Sequence, residues 1–332
     1  MIQAHSPYFR IMLGSTYNVL ALYNWNYMNI LDALALKELK GVGDETISSL
    51  LIFAAANGFK TLEDIAGVRT QNLPLKRTPS SLVEFLKVGH FESARKQISE
   101  KIEEWRLQGI EVIMRGDAKY PSHLLEVVKP PPFLFCKGNV ELLQSTKAIA
   151  VVGTRNNTTL GEELTKSTVE AFASKGFAII SGLALGIDAI AHRAALDFRV
   201  PTIAVLVDLA TISPAVNRKL ANEILDNGGL WVSENPPGTR SIPALFAKRD
   251  RIQAGLASAV FAIETTIDGG TMHAVNASYA MGRPVFVPDS QAAGYPDLSI
   301  PAISGTQNLV KEQRASYYSE DSYEEIHSDL LS

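Results

Sequence analysis

From about residue 109 to residue 290 the chain alternates short, mostly apolar runs with longer stretches of helical spacing, and this alternation limits the possible folds more than any other feature. The runs are Gly109–Met114, Phe133–Cys136, Ala148–Val152, Phe177–Ile180, Thr202–Val207, Leu230–Val232, Ala259–Ile263 and Pro284–Val287. Helical stretches such as Leu160–Lys175, Ile187–Phe198 and Val216–Asn227 separate most of them. A strand that is apolar on both faces must be covered on both. A parallel neighbour needs a crossover long enough to hold a helix. The pattern therefore predicts an α/β protein with a doubly wound, mostly parallel sheet.

Residues 28–100 read differently. Leu31, Leu34 and Leu39, then Ile47, Leu50 and Leu51, recur at helical spacing around Gly41-Val42-Gly43. A helix that ends at Gly41 and restarts after an Asp44 N-cap makes a helix–hairpin–helix. Such a turn can bring backbone N–H groups to a phosphate. It serves equally as a packing unit, and Asp44 and Glu45 beside it would repel an anion. Residues 71–81, with Pro74 and Pro79, read as a linker, and Ser93–Leu107 as a polar helix. The expected organisation is an extension (1–27, a flexible arm or an upstream start), a helical domain (28–100), the α/β domain (101–318) and a tail (319–332).

Of 332 residues, 46% are hydrophobic and 20% charged, enough for two cored domains and too apolar for a disordered chain. The single cysteine, Cys136, excludes an internal disulfide and a multi-cysteine zinc site. Six scattered histidines offer no metal pair on one helix, so no metal is expected. No apolar run approaches the roughly 18 residues of a membrane span, and Met1–Met28 carries one basic residue, a poor signal peptide. The expectation is a soluble cytoplasmic protein with no membrane contact. The net charge is −4: residues 1–128 carry 14 basic and 14 acidic groups, residues 129–250 carry 13 and 11, and residues 251–332 carry 4 and 10. Any anion site must be local, because the overall field opposes it.

In doubly wound sheets, ligands bind at the carboxyl ends of the strands. Three loops there are built for anions. The first is Gly153-Thr154-Arg155, where glycine allows a tight turn, Arg155 supplies a planar cation, and Thr158 or Thr159 caps the next helix. The second runs from Ser181 and Gly182 to Gly186 and Asp188, a glycine-spaced nest. Asp188 can instead cap its own helix, and His192, four residues on, can pair with Asp188 or be a satisfied structural histidine. The third is Gly269-Gly270-Thr271, after Glu264 and Asp268 and before His273. Lys248, Arg249 and Arg251 add cations on a helix. Arg249 and Arg251 lie two apart and do not share a face, so one can reach a cleft while the other braces the fold or a neighbouring subunit. Together these features point to a nucleotide or a nucleic-acid backbone.

In this order the motifs resemble those of the DNA-processing protein A (DprA/Smf) family. They are Tyr120-Pro121, Pro131-Pro132-Phe133-Leu134-Phe135, Lys137-Gly138, Val151-Val152-Gly153-Thr154-Arg155, Ser181 to Asp188 with His192, Ser233-Glu234-Asn235-Pro236-Pro237-Gly238, Arg249-Asp250-Arg251-Ile252 and Gly282-Arg283-Pro284-Val285-Phe286. The run covers roughly residues 109–318, and the Gly41-Val42-Gly43 hairpin fits the small helical (SAM-like) domain many members carry. The resemblance implies a Rossmann-like domain that binds single-stranded DNA, forms a homodimer and loads a RecA-type recombinase in transformation and recombination. It implies a place for Arg155 in the DNA pocket and no cofactor. Several positions depart from the family pattern. Asp250 stands where asparagine is usual, and Pro201 stands where lysine is usual, with Arg199 as a substitute cation. Val207-Asp208-Leu209-Ala210 replaces a glycine-rich turn, and Pro288-Asp289 replaces Pro-Gly. Ser299–Ser332 is too short for the winged helix of some members. These departures fit a divergent branch, such as one serving a mobile element or a defence locus.

The main reading is thus a non-enzymatic binder of single-stranded DNA with no catalytic residue. Phe246 and Tyr120 are candidate stacking platforms, with core packing as the other reading of each. The alternatives are a nucleotide-binding sensor and a nucleotide phosphoribohydrolase-like enzyme using the same pocket. The latter would need a carboxylate, for which Glu264 is the candidate. A dehydrogenase is excluded by the missing G-x-G-x-x-G.

Overall fold

The structure, a computed structural model, describes residues 28–331. The expected N-terminal extension, residues 1–27, and Ser332 lie outside them. The described chain forms two compact units, residues 28–118 with 131–134, and residues 119–130 with 135–331.

The N-terminal unit holds α1 (Ile30–Lys37), α2 (Asp44–Asn57), α3 (Leu62–Ala66), α4 (Ser80–Val88), α5 (Phe91–Leu107) and β1 (Ile110–Met114). A boundary at residue 100 would cut α5, and the unit runs on to residue 118. Leu34, Leu36, Ile47, Leu50, Leu51, Ile65 and Leu82 form its core. Gly41 takes φ +81°, a conformation glycine adopts without strain. Asp44 is not the cap expected of it. Gly43 caps α2, and Asp44 is the first helical residue, where its carboxylate pairs with Lys37. The expected linker is partly structured, with Leu73 buried and α4 starting at Ser80.

The second unit is the expected α/β layer structure. Its elements are β2 (Phe133–Gly138, whose first two residues group with the N-terminal unit), β3 (Ala148–Val152), α6 (Thr159–Ala173), β4 (Ala178–Ser181), α7 (Ile187–Asp197), β5 (Thr202–Val205), α8 (Arg218–Asp226) and β6 (Leu230–Ser233). Then follow α9 (Pro243–Leu256), β7 (Ala259–Ala262), α10 (Met272–Ala280), β8 (Val285–Pro288), α11 (Pro301–Lys311), β9 (Ser316–Tyr318) and α12 (Tyr323–Leu331). The strands lie in the order β2-β6-β5-β4-β3-β7-β8-β9. All neighbours from β6 to β9 are parallel, and β2 runs antiparallel to β6. The chain builds outward from β3 to β6, then crosses back to lay β7 on the other side of β3. The order reverses at β3, so the loops after β4, β3 and β7 emerge side by side. This is the ligand-binding position of an open parallel sheet.

Every residue of β3, β4, β5, β6 and β7 is buried. On one face Phe172 meets Phe177 and Phe261 edge-on, at centroid distances of 5.3 and 4.8 Å. The expected C-terminal tail is not a tail. Tyr323 and Ile326 of α12 join this core, and Thr168 Oγ1 hydrogen-bonds the Tyr318 hydroxyl at 2.7 Å and that of Tyr323 at 3.1 Å. The acidic residues of α12 lie on its outer face, which is why the segment reads as polar.

The N-terminal unit depends on one buried charge. Asp32, fully buried, accepts from Arg95 Nε at 2.6 Å and Nη2 at 3.0 Å and from the Leu62 N–H at 3.1 Å, tying α1, α3 and α5 together. Glu63 and Glu92 complete the cluster. Replacing Arg95 with alanine strands a buried carboxylate, which costs about 3 kcal/mol. Urea unfolding monitored by circular dichroism is expected to show a stability loss of that order in Arg95→Ala.

Candidate functional site

Strand β3 ends at Val152, and Gly153 turns the chain. A Cβ at Gly153 would overlap the Ile187 side chain, so α7 packs directly on the turn. The Thr154 N–H donates to the Glu264 carbonyl at 2.8 Å, and its own carbonyl accepts from the Ile187 N–H at 3.2 Å. As expected, Thr158 caps α6, its Oγ1 accepting from the Gly161 N–H at 3.0 Å. The anion at that helix end is internal. Glu264, fully buried, accepts from the Thr158 N–H at 2.9 Å, the Thr158 hydroxyl at 2.6 Å and the Tyr295 hydroxyl at 2.8 Å. Glu264, the carboxylate named for a hydrolase, is therefore spent on the scaffold and does not line the cleft. Burial, and then the hydrogen bond to Glu264, hold the Tyr295 hydroxyl well above its usual pKa.

The second loop is likewise filled from within. Asp188 does not cap its helix; Gly186 does, at φ +72°. Asp188 Oδ2 instead accepts from the N–H groups of Gly182 at 3.1 Å and Ala184 at 3.3 Å. Ser181 is buried, donating to the Val151 carbonyl at 2.7 Å. Gly182 carries no side chain because the Arg249 guanidinium occupies the space a Cβ would need. Arg249 is only 4% exposed. Its Nη1 donates to the Val205 carbonyl at 2.6 Å, its Nε pairs with Asp250 Oδ1 at 3.0 Å, and its Nη2 lies 3.9 Å from Asp188. Burial pushes the Asp188 carboxyl up, and Arg249 pulls it back. Burial pushes Asp250 up to about 6, again against the pull of Arg249.

The third loop closes the site. The Gly269 N–H donates to the Thr266 carbonyl at 3.0 Å, and the Met272 N–H to the Gly269 carbonyl at 3.0 Å. The N–H groups of Gly270 and Thr271, at the start of α10, have no protein acceptor among the described residues.

These loops border a cleft of about 430 Å³ at the β3/β7 switch. Gly153, Thr154, Arg155, Asp188, Arg249, Gly269, Gly270 and Thr271 line it, so the structure brings together most of the site expected from the sequence. Phe246 of α9 forms part of its wall, whereas Tyr120 is buried. Arg155 is exposed at the rim and makes no side-chain hydrogen bond or ion pair with the described residues. Asp250, Gln253 and His273 are additional lining residues. Asp250 was marked in the sequence only by the asparagine expected in its place, and Gln253 carried no signal.

Five expected residues do not line this cleft. Ser181, Gly182 and Gly186 shape it from behind. Lys248 and Arg251 both pair with Glu234, at 2.9 and 2.7 Å, and Arg251 also donates to the Lys129 carbonyl at 3.2 Å. The Glu234 side chain is 1% exposed, so these cations brace the fold. His192 does not pair with Asp188. It hydrogen-bonds Thr202 Oγ1 at 2.7 Å through Nδ1, and burial lowers its pKa to about 3. Arg199 cannot replace a lysine at position 201 in this cleft: both residues precede β5, at the amino ends of the strands. Asp208 shapes the unusual turn after β5 by accepting from the N–H groups of Ala210, Thr211 and Gly238.

Comparison with known proteins agrees with this architecture. Residues 111–330, well over half the chain, match the family model described as DNA recombination-mediator protein A. DNA processing protein DprA of Bacillus subtilis (strain 168) is 33% identical over 225 residues, covering 67% of this chain and 73% of that protein. Protein Smf of Escherichia coli (strain K12) is 38% identical over 168 residues, covering 50% of this chain and 45% of its own length. The X-ray structure of DNA processing protein A from Streptococcus pneumoniae superposes with a TM-score of 0.75 at 27% identity, covering 89% of this chain and 96% of that one. A structure of the Helicobacter pylori protein, described for its single-stranded DNA binding mode, gives 0.58 at 26% identity, covering 66% and 96%. Motifs, topology and comparisons agree: the chain belongs to the DNA recombination-mediator protein A family, that of DNA-processing protein A.

Proposed function

We propose that the cleft binds the backbone of single-stranded DNA and that the protein is a non-enzymatic DNA-processing factor. One observation carries this reading. The Arg155 guanidinium and the N–H groups of Gly270 and Thr271, all without partners among the described residues, border one cleft at the switch point of the sheet. A cation beside free N–H groups at a helix start is the chemistry that holds a phosphate. The H. pylori relative, described as binding single-stranded DNA, supports the choice of ligand.

The finer reading is that the protein acts in the cytoplasm as a homodimer and hands the strand to a RecA-type recombinase. It rests on family membership. The hydrolase alternative is disfavoured by Glu264, whose two carboxylate oxygens are committed to Thr158 and Tyr295. A free-nucleotide sensor remains the competing reading of the cleft, and it predicts a nucleotide-dependent rise in melting temperature without strand binding.

Fluorescence anisotropy with labelled single-stranded and duplex DNA tests the proposal. The expected outcome is tighter binding of the single strand, with log affinity falling against log salt at a slope of about −3 for roughly four phosphates. Absence of binding at low salt would overturn it. Arg155→Ala is expected to weaken binding, make the slope shallower by about 0.7 and leave the melting temperature unchanged. Arg249→Ala behaves differently. It leaves Asp188 and Asp250 without their buried cation, so binding is lost together with about 3 kcal/mol of stability, read by urea unfolding.

A further inference from the structure

Asp250 is an unexpected group to find in an anion cleft. Its Oδ1 accepts from Gln253 Nε2 at 2.9 Å and pairs with Arg249. Its Oδ2 has no hydrogen-bond partner among the described residues, yet it is not sealed from solvent, and the residue lines the cleft. Arg249 and Gln253 face it from its own helix, Asp188 from α7 and His273 from α10, and Arg155 borders the same cleft. Arg249 is already engaged by Val205, Asp188 and Asp250. Arg155 is therefore the one lining arginine without a partner among the described residues, and it shares the cleft with an open carboxylate oxygen.

From this we infer that Asp250 is a specificity-determining residue that restricts the cleft to a singly charged phosphodiester and excludes phosphomonoesters. The inference rests on the single-strand reading above and names the kind of phosphate that reading requires. An internal phosphate of a strand carries one negative charge, which Arg155 balances. A terminal phosphate or a free nucleotide carries close to two at neutral pH, because its second ionisation lies near pH 6. The second charge finds no second unpaired arginine or lysine among the cleft-lining residues and meets Asp250 Oδ2. With its pKa raised only to about 6, Asp250 is ionised at pH 7.5 and supplies that repulsion. Asparagine at this position is uncharged and would tolerate either ligand.

The test is competition at pH 7.5 against a labelled, 5′-hydroxyl thymidine oligomer bound to the full chain. The competitors are thymidylyl-(3′→5′)-thymidine, a phosphodiester, and thymidine 5′-monophosphate. Wild type is expected to be displaced by the diester at about tenfold lower concentration than by the monoester. In Asp250→Asn the gap closes to about threefold or less, chiefly because the monoester competes better. Asp250→Glu, which keeps the charge, retains the gap. It also guards against a merely structural effect, as do melting curves of all three proteins. Equal competition in wild type, or an unchanged gap in Asp250→Asn, would overturn the inference and leave the single-strand reading standing. If wild type fails to bind the oligomer at all, that reading falls and this inference falls with it.

Discussion

The reversal of strand order at β3 is the constraint on which every feature of the cleft depends. Strands β4 and β7 flank β3, and their following helices leave on opposite faces of the sheet. The backbone between them cannot close over the strand ends without leaving polar groups unpaired. The chain meets this by placing small residues where elements converge, as at Gly153 under Ile187 and Gly182 under Arg249. What is left open is bordered in part by peptide N–H groups, whose partial positive charge suits an anion even in an acidic protein.

Part of that donor capacity is then taken up by the protein itself. The N-terminal end of α6 receives Glu264, and the loop before α7 receives Asp188. Both carboxylates are buried, and both satisfy donors that would otherwise await a ligand. Arg249 is held between Asp188 and Asp250. Of the three loops suited to anions, the one before α10 brings the N–H groups of Gly270 and Thr271 to the cleft without a protein acceptor among the described residues, and Arg155 is the lining arginine without a partner among them. The site is narrower than its count of glycines and arginines implies.

That difference marks how much the sequence can disclose. The parallel sheet was legible because continuous apolar runs separated by helix-length crossovers admit few other folds, and β3 in particular spans the residues read from its pattern. The cleft was legible in outline because glycine and arginine at strand ends have few other uses. The division of labour among the cations was legible in part. Their spacing separates Arg249 from Arg251, but only the approach of Glu234, just past β6, and of Asp188 from α7 shows which lies beneath the cleft and that Lys248 and Arg251 brace the fold. Such partners are distant in sequence, and local spacing carries no trace of them. The tail was misread for a related reason: α12 has a polar outer face, and its inner one finds a core contributed by α6 and β7.

The acidity of the chain then bears on how such a cleft can hold DNA. A net charge of −4, with residues 251–332 carrying 4 basic and 10 acidic groups, gives no general attraction to a polyanion. A cleft with one unpaired guanidinium makes few phosphate contacts, and affinity built on so few is modest at physiological salt. Under the proposed reading, retention of a strand would call for more than one such cleft on it. Two copies of the cleft on one strand make the second contact intramolecular, so their affinities multiply and do not merely add.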